Sequence, residues 1–138
     1  MKQWIVIVLV MIGLALGAGI QGFADSGADK VKAANLRAAQ DYYQSGLMLA
    51  GEGREADAVR AFRQALGIRP DWAEAHSLLG SILFRAGKYS EAEVELRKAV
   101  TLKPDYAEGW NFLGEFLQER GKEKEAQEAF KKAKQFAR

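Results

Sequence analysis

The stretch Ala73–Pro104, AEAHSLLGSILFRAGKYSEAEVELRKAVTLKP, decides how this chain is read. Moved by 34 residues in either direction, its key positions return. Gly46, Gly80 and Gly114 form one column, and Gly53, Gly87 and Gly121 a second. Ala58, Ala92 and Ala126 make a third, and Ala65, Ala99 and Ala133 a fourth. Pro70 and Pro104 share a phase and are the only prolines. Each column has a physical task. A glycine inside a helix costs about 1 kcal/mol against alanine, so Gly46, Gly80 and Gly114 mark a point where a second helix crosses closely. Ala58, Ala92 and Ala126 are expected to be the small residues facing them. Gly53, Gly87 and Gly121 fall between helices, where a left-handed residue ends a helix without Cβ strain. Pro70 and Pro104 end the second helix of a pair, and the following Asp71 and Asp105 suit a first helical turn. Tyr42, Leu49, Phe62, Leu79, Leu83, Leu96, Trp110, Leu113, Leu117 and Phe130 recur at helical spacing and read as core.

This fixed period with small residues in phase resembles the tetratricopeptide repeat family, whose repeat is a helix–turn–helix. The resemblance covers Ala39–Arg138 as three repeats, 39–72, 73–106 and 107–138. It implies an all-α chain, an α-solenoid of three helical hairpins preceded by an N-terminal hydrophobic helix, acting as a protein-binding scaffold. The pattern turns helical from about Asp29, so the first helix starts early and runs to about Ala50. Later helices are predicted at about 55–67, 71–86, 89–101, 105–120 and 123–137.

The chain has 138 residues, enough for one small domain and an extension. Lys and Arg number 20 against 18 Asp and Glu, which gives no charge bias toward nucleic acid. The absence of cysteine removes disulfides, thiolate nucleophiles and thiolate metal sites. Residues 1–24, MKQWIVIVLVMIGLALGAGIQGFA, hold Lys2 as their only charge and are apolar without a break from Trp4 to Ile20. Two readings stand. As a helix the segment is about long enough to cross a ~30 Å hydrocarbon core and anchor the chain through residues 4–24. It also fits an export signal, with Gly22-Phe23-Ala24 as a small-x-small cleavage site. Both leave Lys2 in the cytoplasm and carry the repeats across, so an extracytoplasmic, periplasmic location is expected. Residues 25–38 read as a polar linker and the start of the first helix.

At the far end, Leu66 and Val100 occupy the position where a second helix packs on the following repeat. There the last repeat has Lys134, and its charged helix reads as the polar cap a terminal repeat requires. Phe136 is expected to be partly exposed, and the array to end at this helix.

In the resembling family the first helices line a concave groove. Carried over by phase, the groove positions are Gln40, Tyr43, Leu47 and Ala50, then Glu74, Ser77, Ser81, Phe84 and Arg85, then Glu108, Asn111, Glu115, Gln118 and Glu119. The expected groove is apolar near Tyr43, Leu47 and Phe84, and acidic near Glu108, Glu115 and Glu119. It suits a peptide with an apolar anchor and a basic group. Members that bind chaperone tails grip a C-terminal carboxylate with basic residues. The matching positions here are Tyr43, Leu47, Leu78, Glu108 and Phe112, none basic, so such a ligand is not expected.

His76 is the only histidine. Its near neighbour Glu74 lies two residues away and does not face it on a helix. It reads as core, with no second polar residue converging on it. Glu91, Glu93 and Glu95 alternate and read as a solvated face. No phosphate-binding loop or nucleophile elbow is present. Lys131, Lys132, Lys134 and Arg138 are explained by cations complementing the end of a helix. The expectation is a non-enzymatic adaptor without cofactor or metal, binding a protein or peptide in assembly of an envelope complex. The rival is a homo-oligomeric scaffold in which an open end at Tyr42, Tyr43 and Leu47 docks on another copy.

Overall fold

The computed structural model describes residues 2–137, with residues 2–25 described only as helical backbone and not in their side chains. Among the described residues there are six helices and no strand: α1 (Lys2–Gly51), α2 (Glu55–Ile68), α3 (Ala73–Arg85), α4 (Tyr89–Leu102), α5 (Ala107–Glu119) and α6 (Glu123–Phe136). Contacts divide the chain into residues 1–36 and 37–138. In the first unit the side chains of residues 26–36 are exposed. The anchor or export-signal reading of residues 1–24 lies outside the described side chains. Among the described residues no helix is long and apolar enough to cross a membrane.

The second unit is built of hairpins, and each hairpin turns in the same way. Gly53, Gly87 and Gly121 hold φ of 75°, 76° and 72°, and no other glycine and no non-glycine residue among those described has positive φ. With the chain turned left-handed there, the next amide reaches back to the end of the helix. The amides of Arg54, Lys88 and Lys122 donate to the carbonyls of Leu49, Leu83 and Leu117 at 2.9, 2.8 and 2.8 Å. The second helices then begin without a side-chain cap. Acidic residues in their first turns, Glu55 and Asp57, Glu91, and Glu123 and Glu125, offset the exposed amides.

Between hairpins the chain turns at Pro70 and Pro104, both outside the helices. Helices α3 and α5 begin at Ala73 and Ala107, so Asp71 and Asp105 lie in the turn and not in a first helical turn. The aromatic residues Trp72 and Tyr106 take the extended N-cap position, and Glu74 and Glu108 are the acids of the first turns.

Within hairpins the glycine column is where two helices meet, and the nearest side chain across it is a large one. A methyl group added at Gly80 would sit 2.7 Å from Leu96 Cγ and 3.1 Å from the Leu96 backbone nitrogen. At Gly46 and Gly114 it would strike the rings of Phe62 and Phe130, at 2.9 and 2.6 Å. The facing residue is large and lies one helical turn beyond Ala58, Ala92 or Ala126, each of which is fully buried. Glycine on one helix thus makes room for bulk on the other.

Phe62, Leu79, Leu83, Leu96, Phe116 and Leu117 form the deepest part of a core that runs from Ala39 to Ala129. Tyr42, expected there, is exposed, because α1 runs on without the proline turn that gives its counterparts a partner. His76 Nε2 lies 2.8 Å from the Pro70 carbonyl, and Trp110 Nε1 donates to the Pro104 carbonyl at 2.8 Å.

Candidate functional site

The first helices of the three hairpins bring side chains together on one face. Tyr43 of α1 stacks on Trp72, with ring centroids 4.4 Å apart, and meets Phe62 edge-on at 5.6 Å. Arg69 covers Trp72 at 4.5 Å. The Tyr106 hydroxyl donates to Glu108 at 3.0 Å, while Lys103 lies 5.3 Å over the Tyr106 ring and donates to Glu74 at 2.7 Å.

The electrostatics ties these residues into one cluster. Burial, followed by the charges of Glu74 and Glu108, pushes the Tyr43 hydroxyl above its ordinary value. Burial and the hydrogen bond to Glu108, then the charges of Glu108 and Glu74, push the Tyr106 hydroxyl up further. Burial alone would also raise Glu74. The Lys103 hydrogen bond and the charges of Lys103 and Arg69 outweigh it and leave that carboxyl below its ordinary value. Side chains from α1, α3 and α5 therefore share one electrostatic environment.

The groove positions read from the sequence divide within this geometry. Gln40, Leu47, Glu108, Asn111, Glu115, Gln118 and Glu119 are exposed, and Tyr43, Ala50, Glu74, Ser81 and Phe84 are half-buried. Ser77 is fully buried, and its hydroxyl has no hydrogen-bond partner among the described residues. It cannot meet a ligand without a rearrangement. Arg85 turns toward α2, with Nε 3.4 Å from Glu55, and so leaves the α3 side of the face. Phe84 packs edge-on against Phe116 at 5.4 Å, which makes it a seam between α3 and α5 and not an open anchor. Leu47 remains the exposed apolar side chain of the expected anchor.

Trp72, Lys103 and Tyr106 belong to this face and were not among the groove positions read from the sequence. The signal was present. Pro70-Asp71-Trp72 and Pro104-Asp105-Tyr106 repeat as a Pro-Asp-aromatic triplet, which places one aromatic at the head of each following hairpin.

The acidic half of the face is open. Among the described residues Glu108, Glu115 and Glu119 form no ion pair, unlike Glu74 with Lys103. The acids of the second helices are mostly neutralised. Arg63 meets Glu91, Arg97 meets Glu93 and Glu125, and Lys122 meets Glu93. The alternating trio Glu91, Glu93 and Glu95 is thus not merely solvated, since each member meets a different neighbour.

The third member corrects the reading of His76. Its Nδ1 lies 2.5 Å from Glu95 Oε2, a contact across 19 residues, so a second polar group does converge on it. The ring is only 4% exposed and both nitrogens are engaged, by Glu95 and by the Pro70 carbonyl. No nitrogen is left to meet a substrate or a metal, and the pair is a bolt between α3, α4 and the preceding turn. Among the described residues no group of three or more His, Cys, Asp or Glu side chains is placed to hold a metal ion.

The sequence model of the tetratricopeptide repeat matches residues 49–111 and 83–138. No curated protein sequence matches the chain. Among solved structures, MamA superposes with a TM-score of 0.67 at 24% identity, over 73% of this chain and 59% of MamA. The second TPR of Spaghetti (RPAP3), bound to the HSP90 peptide SRMEEVD, gives 0.73 at 19% identity over 78% of this chain and 99% of that one. The Sgt2 TPR domain from Aspergillus fumigatus gives 0.68 at 21% identity, over 71% and 65%. At these identities the structural likeness is one of fold.

Proposed function

This chain belongs to the tetratricopeptide repeat family, and from that premise we propose that it is a non-catalytic adaptor holding a protein or peptide segment against the α1–α3–α5 face. One observation carries the reading. Tyr43 of α1 stacks on Trp72 at the head of α3. Lys103 donates to Glu74 of α3 while lying over Tyr106, whose hydroxyl donates to Glu108 of α5, so three successive hairpins meet on one face. A ligand laid across that face meets all three hairpins at once.

The chemistry of the face favours a basic segment. Glu108, Glu115 and Glu119 offer carboxylates without a cation of their own, and Leu47 offers apolar surface at the other end. A lysine or arginine of a ligand completes charge-assisted bonds there, and the aromatic pair Tyr43 and Trp72 borders the apolar end. Spaghetti supports peptide binding on this fold, but its ligand SRMEEVD is acidic. The positions of this chain in phase with a carboxylate grip are Tyr43, Leu47, Leu78, Glu108 and Phe112. They bring no cation, and Glu108 repels an acidic end.

The setting proposed is the outer side of a membrane, with residues 4–24 as a retained anchor or a removed export signal, and the task is assembly of an envelope complex. The apolar run from Trp4 to Ile20 behind Lys2 supports this. Photocrosslinking from Asn111 and from the outward Lys98 of α4 in intact cells tests the reading. Capture of a Lys- or Arg-rich segment by Asn111, lost in Glu108→Lys plus Glu115→Lys, is the expected result. Equal capture from both sites, or capture indifferent to the reversal, contradicts it.

A further inference from the structure

Because each hairpin repeats the last, a position buried between hairpins has a counterpart at each end of the array, where it faces outward. Ile82 and Phe116 are 3% and 1% exposed, and Phe116 packs on Phe84 of the preceding hairpin. Their counterpart in α1 is Met48, which is 61% exposed. A thioether at that position is suited to being covered.

The charged positions match in the same register. Gly109 is buried against the preceding hairpin, and a methyl group added to it would lie 3.4 Å from Val100 Cγ1. Two periods before Gly109 stands Asp41, and one period after Val100 stands Lys134. Both are exposed. The internal seam therefore has an apolar contact where the two ends of the array carry opposite charges.

A second column agrees. Along the second helices Arg63 meets Glu91, and Arg97 meets Glu125, each across 28 residues. Continuing the pattern puts Lys131 after Arg97, and Asp57 before Glu91. Asp57 now holds Arg54 and Arg60 of its own neighbourhood, and these hold its carboxyl below its ordinary value. It is an anion at neutral pH in line with the ladder.

We propose that this chain docks head to tail on a second copy of itself. The α1 face of one copy covers the α6 face of the other in the register of the internal seams, with Asp41 opposite Lys134, Asp57 opposite Lys131, and Met48 under cover. This differs from the end first marked by the sequence: Tyr43 is already packed between Trp72 and Phe62, and Met48 replaces it. The contact is heterologous, and a copy added in the register of the internal seams continues the stack of hairpins and leaves a free end, so the proposed assembly is an open chain and not a closed ring. It rests on paired exposed charges, so it is reversible and weakens with salt.

The test is sedimentation of the full chain in mild detergent at several concentrations, with Lys134→Glu and Asp41→Lys variants apart and mixed. Both residues are exposed, so neither change disturbs the core. The wild type is expected to gain mass with concentration and without a plateau. Either variant alone, facing like charges, is expected to associate roughly tenfold more weakly. An equal mixture of the two restores association. The acid introduced in one variant then meets the base introduced in the other, and the unchanged Lys134 and Asp41 meet at the alternate contacts. A concentration-independent monomer overturns the proposal. Association that ignores both variants, or that mixing fails to restore, overturns it equally and assigns any self-association to another surface.

Discussion

The hairpins α3–α4 and α5–α6 share one backbone plan and differ in what surrounds them. In the first, Gly80 faces Leu96, which is fully buried. In the second, Gly114 faces Phe130, which is only partly buried. His76 is bolted to Glu95, whereas Trp110, in the same column, holds only its proline carbonyl and is covered by Lys132 at 4.2 Å. Val100 is buried, and its counterpart Lys134 is exposed. Residues that repeat between the hairpins are those the backbone dictates. Residues that change record whether a hairpin of the same copy lies on that side.

The largest effect that would break this comparison is in the core. Leu96→Ala is expected to cost about 2–5 kcal/mol in urea unfolding, because a buried leucine leaves a cavity. Phe130→Ala is expected to cost less although it removes more atoms. A larger loss at Phe130 would mean the last hairpin is as enclosed as the central one.

Next comes the polar column. His76→Phe leaves the Glu95 carboxylate and the Pro70 carbonyl short of a partner and is expected to cost about 1–3 kcal/mol. Trp110→Phe gives up one bond near solvent and is expected to cost about 1 kcal/mol or less. Equal losses would show that the His76–Glu95 contact adds nothing to the shared proline bond.

The glycines sharpen the same contrast on a smaller scale. Gly80→Ala pushes a methyl group onto both the side chain and the backbone of Leu96. A net loss of about 1–2 kcal/mol is expected after the gain in helix propensity. At Gly114 the nearest obstacle is the ring of the partly buried Phe130, with no backbone atom among the nearest contacts, so Gly114→Ala is expected to cost less than Gly80→Ala.

The smallest effect is electrostatic. Hydrogen bonds from Lys122 and then Arg97 hold the Glu93 carboxyl below its ordinary value. Its counterpart in the last hairpin is the neutral Gln127. A depressed folded pKa means that this stabilisation is complete above the ordinary carboxylate range and is lost as pH falls through the folded value. Thermal melts of the wild type should therefore drop more steeply below about pH 4.5 than those of Glu93→Gln. The gap should be under about 1 kcal/mol, as the pair is largely exposed.

The hairpin plan was legible because single residue types carry it. Only glycine enters the left-handed turn at positions 53, 87 and 121 without strain, and only glycine admits Leu96 so close to α3. The candidate face was legible only by phase, and phase does not report depth. It placed Ser77 and Phe84 on the groove, but one is buried and the other seals the seam to α5. The His76–Glu95 contact was hidden because it joins two helices, and its alternating neighbours Glu91 and Glu93 point to different partners. The close approach at Gly109 depends on Tyr106 and Val100 together, and no local pattern gives their distance.

The central claim is that the α1–α3–α5 face receives a basic segment. Backbone amide shifts of the labelled chain, followed during titration with a short peptide of arginines around a leucine, test it most directly. Shifts confined to Leu47, Ser81, Asn111, Glu115 and their neighbours, and absent with the SRMEEVD peptide, are the result this account predicts. Shifts confined to α2, α4 and α6, or the same response to both peptides, would contradict it.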